Sequence, residues 1–418
     1  MLFSLPEPVL YAMERLEKAG FQAFAVGGCV RDHVLGLAPH DYDICTSALP
    51  EDMLSLFRDH RVIETGLKHG TLTVLTQEMP LEITTFRLDG EYLDGRHPTS
   101  VQFTTQVEED LSRRDFTINA MAYSPLRGLV DPFGGRQDCQ NRLIRCVGAP
   151  EKRFEEDGLR ILRALRFSAR LGFPIEEKTA RAVIEERNRL QRISRERIAA
   201  ELTGLLLGEQ TARVLARFPQ VLETAVPELA GLIHTPHWEK ALDAVSLTPR
   251  DPLLRWAALL EKCAAAPREA AALARQILLG LKMPTKTIDA VSQLILWHTA
   301  PLTAGGMQEM LMHVGPERLD QLLTLGQVNQ TVFGSLDAQA AARETEALRQ
   351  AVKKLMDENA CYTLSQLAVG GSDAAAAGLR GPAIGNALNQ LLLQVTRGET
   401  PNEREALLSA LQSFAPSP

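Results

Sequence analysis

The stretch "AVGGCVRDHVLGLAPHDYDICT", residues 25–46, decides how the rest of this 418-residue chain is read. An apolar run closes on Gly27 and Gly28, a short helical pattern (VRDHVLG) follows, and YDICT then has the character of a strand. On a strand, residues i and i+2 share a face, so Asp41 and Asp43 project together with Tyr42 turned away. Two carboxylates this close repel each other unless a cation lies between them, and hard oxygen ligands suit Mg²⁺. A surface turn explains the pair equally well when it is taken alone. The glycines leave backbone without Cβ atoms just before a helix start, where amide N–H groups can approach a phosphate. Arg31 follows in the first turn and can add a charge-assisted bond to a phosphate oxygen. A plain tight turn would account for the glycines by themselves. Together, a phosphate loop and paired carboxylates point to a nucleoside triphosphate and two-metal phosphoryl chemistry. No GK[ST] follows the loop, which excludes a Walker A reading.

Outward from this stretch the pattern stays mixed. Residues 6–19 have the periodicity of an amphipathic helix, FQAFAV that of a strand, and EDMLSLF that of a helix with acidic residues in its first turn. GTLTVLTQ and PLEITTFR alternate as two paired strands. Glu82 lies in the second of these. Beside the 41–43 strand it would ligate a metal or take the proton from an attacking hydroxyl; on an edge strand it would only be solvated. This α/β unit ends near residue 145. From about 150 onward strand signals vanish, and helical periodicity runs nearly to the end, with breaks at Gly172–Pro174, Pro219, Pro227–Pro236, Pro249–Pro252, Pro284 and Pro301. The fold class is therefore α+β, a mixed-sheet head followed by an elongated all-α remainder.

The bulk numbers agree with several domains of a soluble protein: 45% apolar and 23% charged residues. No apolar run approaches the roughly 20 residues that span a bilayer, and the N-terminus lacks the features of a secretory signal. A cytoplasmic protein with no membrane partner is expected. The six cysteines form no CxxC and no zinc spacing, and buried or incidental thiols are expected. The net charge is −7, yet residues 113–197 hold 19 Lys/Arg against 12 Asp/Glu. A basic segment inside an acidic chain suits an anionic ligand held at one place, or else a solvated helical face.

Two motifs occupy that segment. In EEDLSRRDFTINAMAY, Arg113 and Arg114 are suited to phosphate or ribose, while Asp115 either joins them or caps a helix. In RFEEDGLRILRALRFSARLGF, Asp157, Arg160, Arg163 and Arg166 recur every third residue on an expected single helix. Each step stays within about 60° of its neighbour. Ordinary Asp–Arg pairs on a solvated helix are the alternative.

The string GGCVRD…DYD, then EYLDGRHP, RRDFTINAMA and EDGLRILRALRF, closely resembles the class II tRNA nucleotidyltransferases, the CCA-adding enzymes, and their bacterial poly(A) polymerase relatives. Weaker likenesses continue in RISRERIAAEL, VPEL and GPAIGNAL…GETPNEREAL. The resemblance implies a DNA polymerase beta-like nucleotidyltransferase head at 1–145 and a helical neck at 146–215 for base recognition and RNA binding. It further implies a body at 216–330 and a tRNA-binding tail at 331–418. Asp41 and Asp43 would hold Mg²⁺, and Glu82, on the strand reading above, remains the third catalytic candidate. Gly27, Gly28 and Arg31 would bind the triphosphate, and Arg114 with Asp115 the nucleotide. Asp157 and Arg160 would read the base, with Arg163 and Arg166 lining the same pocket. The implied reaction is addition or repair of the 3′-terminal CCA of tRNA from CTP and ATP; poly(A) addition or A-only addition is the alternative.

That base reading has a physical logic. Cytosine and adenine each present an amino donor beside a ring-nitrogen acceptor, which an Asp and an Arg match; uracil and guanine reverse the pattern. RLDGEYLDGRHPTSVQF resembles the family's flexible loop and favours addition of the final A. The tail from Gly381 has two arginines and no lysine, unlike the basic extension of the poly(A) polymerases. TPHWEKALDAV…DPLLRWAALLEK…LILWHTAP resembles an HD phosphohydrolase-like domain in which Glu261 and Lys262 replace the metal-binding His-Asp. There His234, His237 and His298 are expected to lack a carboxylate partner, leaving a degenerate region without metal or hydrolase activity.

Overall fold

A computed structural model describes residues 3–76, 79–90, 101–298 and 306–414. The chain divides into two compact units, Met1–Ala230 and Gly231–Pro418.

The first unit is built on a mixed sheet. Its strands are β1 (Ala23–Val26), β2 (Asp43–Thr46), β3 (Arg61–Ile63), β4 (Thr71–Thr76), β5 (Met79–Thr85), β8 (Ala122–Ser124) and β9 (Gly128–Val130), ordered β3-β4-β5-β2-β1-β8-β9. The short strands β6 (Arg87–Asp89) and β7 (Val101–Phe103) form a separate pair. β1 is buried along its whole length, as its continuous apolar sequence AFAV requires of a central strand. In β5 the alternation is strict: Leu81, Ile83 and Thr85 face the core and Glu82 faces out. β2 and β5 run parallel and place Asp43 opposite Glu82, one of the two positions the sequence leaves open for that residue.

Between β1 and β2, Gly27 adopts φ 80° and ψ −125°, a conformation that an L-residue enters only under strain, and the helix Gly28–Val34 begins at once. Helices Pro150–Glu156 and Leu159–Leu171 follow the sheet, and the latter packs against Arg195–Leu206. Asp157 is therefore not on one helix with the three arginines. It has extended φ/ψ at the break between two helices, and its Oδ1 accepts from Leu159 N at 3.0 Å, capping the second of them. Only Arg160, Arg163 and Arg166 share the helix.

In the second unit, strands are absent among the described residues. Helices Pro252–Leu260, Pro267–Gly280, Thr285–Trp297, Met307–Val332 and Ala338–Asp357 supply one core, and the closing helices Pro382–Thr396 and Arg404–Phe414 share another around Leu391, Leu392, Leu407 and Leu411. Asp251 and Asp337 cap their helices through side-chain bonds to backbone N–H groups. Glu261 and His298 are both buried, with Glu261 Oε2 3.7 Å from His298 Nε2, so His298 does have a carboxylate neighbour, contrary to the expectation for that histidine. The chain brings together residues far apart in sequence that no spacing relates. The loop EYLDGRHPTS, 91–100, and the break at Pro301 lie outside the described residues.

Candidate functional site

A cleft of about 450 Å³ in the first unit is lined by Gly27, Gly28, Arg31, Asp43, Arg113, Arg114, Asp115, Asn119, Asp157, Leu159, Arg160, Arg163, Phe167 and Arg197. Sequence reading brings most of these together: the glycine turn and Arg31 from one side, Arg114 and Asp115 from the middle, and Asp157, Arg160 and Arg163 from the helix junction. Asp41 and Glu82 are exposed and are not part of the lining, although Glu82 stands opposite Asp43 in the β2–β5 register. Tyr42 turns inward at 9% exposure, its hydroxyl 3.3 Å from His33 Nε2, which leaves Asp41 and Asp43 on the solvent side.

The arginines of the cleft are held by acids, one of them shared. Asp110 is fully buried, accepts from Arg113 Nε at 3.0 Å and Nη2 at 2.8 Å, and lies 3.3 Å from Arg114 Nη2. Burial alone would raise its carboxyl, but the two guanidinium charges and the bonds they donate hold it below the usual range. Asp115 works the same way. Its Oδ2 accepts from Arg163 Nε at 2.7 Å and its Oδ1 from Phe116 N at 2.8 Å and Asn119 Nδ2 at 3.2 Å. Burial pushes this carboxyl up, and Arg163, Arg160 and the donated bonds outweigh it, leaving the carboxyl low. Asn119 also accepts from Arg31 Nη1 at 2.8 Å, so one hub links the glycine turn to the helix.

Arg160 is 9% exposed. It donates from Nη1 to Glu156 Oε2 at 2.6 Å and to the Arg153 carbonyl at 3.2 Å, and from Nη2 to the Arg113 carbonyl at 2.9 Å. Of the five guanidinium N–H donors, about two remain. Asp157 receives Arg197 Nη2 at 2.7 Å. Arg114 Nε is buried and has no hydrogen-bond partner among the described residues. Asp43 is pushed up, first by partial desolvation and then by repulsion from Glu82 and Asp41, with Arg114 opposing. A carboxylate raised by burial and by neighbouring carboxylates in this way fits a hard cation. Among the described residues, no group of three or more His, Cys, Asp or Glu is arranged as a metal cage, so the paired aspartates would need oxygens from elsewhere to complete a shell.

Arg166 is the expected pocket residue that falls outside the lining. Its Nε lies 2.7 Å from Glu201 Oε2, and its guanidinium carbon stands 4.8 Å from the centroid of Phe167, a ring also approached by Arg31 and Arg163. Sequence reasoning missed Asn119, Phe167 and Arg197. All three lie in the strings that carry the family likeness, RRDFTINAMA, EDGLRILRALRF and RISRERIAAEL, which was the signal available.

Residues 23–145 match the family model described as Poly A polymerase head domain, 172–232 the one described as probable RNA and SrmB-binding site of polymerase A, and 250–411 the one described as tRNA nucleotidyltransferase domain 2. The CCA-adding enzyme of Limosilactobacillus fermentum is 35% identical over 97% of this chain and 96% of its own length. That of Geobacillus stearothermophilus is also 35% identical, with the same coverage. Among solved structures, the Bacillus stearothermophilus CCA-adding enzyme in complex with CTP superposes with a TM-score of 0.80 at 33% identity, covering 98% of both chains. The Thermotoga maritima CCA-adding enzyme complexed with tRNA shares the fold, with a TM-score of 0.61 at 22% identity over 97% of this chain and 94% of its own.

Proposed function

The chain belongs to the family of CCA-adding enzymes, and on that premise we propose that it adds or repairs the 3′-terminal CCA of tRNA from CTP and ATP. The observation that carries this reading is one cleft lined by Asp43 together with Asp157, Arg160 and a set of buried and half-buried guanidinium groups. The head at 1–145 supplies the chemistry, the neck at 146–215 the base reading, and the body at 216–330 and tail at 331–418 the grip on tRNA. No helix among the described residues is long and apolar enough to cross a membrane, and we place the reaction in the cytoplasm.

In the reaction, the 3′-hydroxyl oxygen of tRNA forms a bond to the α-phosphorus while the bond from that phosphorus to the bridging oxygen breaks, releasing pyrophosphate. Glu82, exposed and in register with Asp43, takes the hydroxyl proton. Arg31, Arg114 and the bare backbone of Gly27 and Gly28 hold the triphosphate in line. Mg²⁺ held by Asp41 and Asp43 would supply charge stabilisation for the attacking and leaving oxygens. Asp157 has three of its roughly four lone-pair sites engaged by Leu159 N and Arg197, which leaves an acceptor for a base amino group. Arg160 brings a remaining N–H to the ring nitrogen. The bonds to Glu156, Arg153 and Arg113 fix its plane, so the pair is rigid before a nucleotide arrives. A uracil or guanine would leave buried polar groups unpaired at a cost of about 1–3 kcal/mol each.

The test is product sizing. The protein is incubated with tRNA lacking its 3′ end, Mg²⁺ and labelled CTP, ATP or both. Addition of C, C and A followed by a stop supports the proposal; long A tails, or A only after CC, overturn it.

A further inference from the structure

The second unit contains a polar cluster that the chemistry above does not use. Glu261 follows the helix Pro252–Leu260 at 2% exposure, and His298 follows Thr285–Trp297 at 7%. Asn329 lies in the long helix Met307–Val332. His298 Nδ1 is 2.5 Å from the Ile295 carbonyl, so that nitrogen carries the ring proton and Nε2 presents a lone pair. This lone pair faces Glu261 Oε2 at 3.7 Å, and Asn329 Nδ2 donates to the same oxygen at 2.8 Å. Left over are His298 Nε2, Glu261 Oε1 and Asn329 Oδ1. All three are closed to solvent and have no hydrogen-bond partner among the described residues. Buried polar atoms are ordinarily satisfied, and these three are not, although Asn329 Nδ2 donates to Glu261 Oε2 and burial pushes the Glu261 carboxyl up to about 7, so that a proton and a cation compete for it near neutral pH.

The geometry narrows the choice. A separation of 3.7 Å is too long for a hydrogen bond between His298 and Glu261. Two ligands about 2.0–2.1 Å from one tetrahedral ion stand about 3.4 Å apart. An imidazole whose Nδ1–H is spent on a backbone carbonyl has the outer-shell bond that orients metal-binding histidines. His298 and Asn329 also line a cavity of about 390 Å³, which gives a ligand a way in. Lys262 is the neighbouring cation. Its Nζ rests 4.4 Å from the centre of the Phe333 ring, it lines the same cavity, and its charge acts on both Glu261 and His298.

We propose that Glu261, His298 and Asn329 form a binding site for a divalent metal ion of borderline softness, with imidazole, carboxylate, amide oxygen and water as its ligands, for which Zn²⁺ is the probe. The ion would pin three helical segments together and take no part in nucleotide transfer. The inference stands whether or not the reading of the cleft is correct.

Calorimetric titration of the full, metal-stripped chain with Zn²⁺, in excess Mg²⁺ to occupy hard carboxylate sites, tests it. One tight equivalent is expected in the wild type and in Asp41→Ala. His298→Gln and Glu261→Gln, which preserve side-chain volume, should bind that equivalent at least tenfold more weakly and leave nucleotide addition in Mg²⁺ unchanged. Zn²⁺ should also raise the melting temperature of the wild type and not that of His298→Gln. No tight equivalent in the folded wild type overturns the site, as does its loss in Asp41→Ala with retention in His298→Gln. The wild-type measurement alone decides the matter if either variant does not fold.

Discussion

The arginine cleft and the Glu261–His298 cluster are both buried polar sites, yet their hydrogen-bond accounts are opposite. In the cleft, the principal guanidinium groups arrive with carboxylates: Asp110 for Arg113 and Arg114, Asp115 for Arg163, Glu156 for Arg160, Asp157 for Arg197. In the cluster, His298 Nε2, Glu261 Oε1 and Asn329 Oδ1 are buried without a partner among the described residues, beside one bond from Asn329 Nδ2 to Glu261 Oε2. The difference separates a site whose parts are locked before the ligand binds from one whose parts are completed by the ligand. Locked ion pairs suit catalysis, because orientation is settled before the reaction begins.

If the cleft is a locked site, its variants should sort by which part of the lock they break. The largest effect belongs to Asp43→Ala, which removes an exposed carboxylate from the reacting end. Nucleotide addition should fall by about a thousandfold, with the melting temperature nearly unchanged; turnover within a few-fold of wild type would separate Asp43 from the chemistry. Next is Asp115→Asn, which strips the hub of its charge. Breaking a buried pair costs about 3–5 kcal/mol, measurable by urea unfolding at neutral pH. The Asp115 carboxyl is held low in the folded state, so its contribution is present at neutral pH and is lost as pH falls through that lowered value. The gap between wild type and variant should therefore narrow in acid, and a gap independent of pH would contradict the ion-pair account.

Much of this was legible in the residues, and the limits are physical. The β1–Gly27–helix unit and the outward pair Asp41/Asp43 follow from local periodicity, whereas alternation within the Glu82 strand leaves its neighbour open, and only the parallel β2–β5 pairing puts Glu82 opposite Asp43. The break at Asp157 was not legible. Glu156, Asp157 and the following Leu and Arg residues all continue a helical pattern, yet Asp157 is extended while Gly158 already has helical φ/ψ and lies close against a distant segment. A Cβ there would lie 3.0 Å from Arg189 Cβ, a contact made by a segment some thirty residues away. The Arg197–Asp157 pair escaped for the same reason, since periodicity relates neighbours along a helix and says nothing about partners across a bundle. The Glu261–His298–Asn329 meeting is another case of tertiary packing uniting distant residues.

Arg197→Ala sharpens the comparison further, because it frees Asp157 without touching the metal end. Discrimination of CTP over UTP should drop by about tenfold, the worth of one charge-assisted bond near 1.4 kcal/mol, as read from competition between the two nucleotides. Unaltered discrimination would mean that Asp157 is oriented by its helix-capping bond alone. The smallest effect is expected for Gly27→Ala. The positive φ with ψ −125° lies outside the left-handed helical well and costs about 1 kcal/mol or more, and the new Cβ would meet Arg114 Nη1 at 3.0 Å. The KM for triphosphate should rise with little change in kcat, and an unchanged KM would argue that the turn only joins two elements.

The central claim is that Asp157 and Arg160 choose the base without a nucleic-acid template. The most direct measurement supplies all four nucleotides to a tRNA lacking its 3′ CCA and sequences the added ends made by wild type and by Asp157→Ala, together with the KM for triphosphate. The account predicts C, C and A from the wild type, and U and G incorporated by the variant with KM much less affected than base choice. Undiminished selectivity in Asp157→Ala would contradict it.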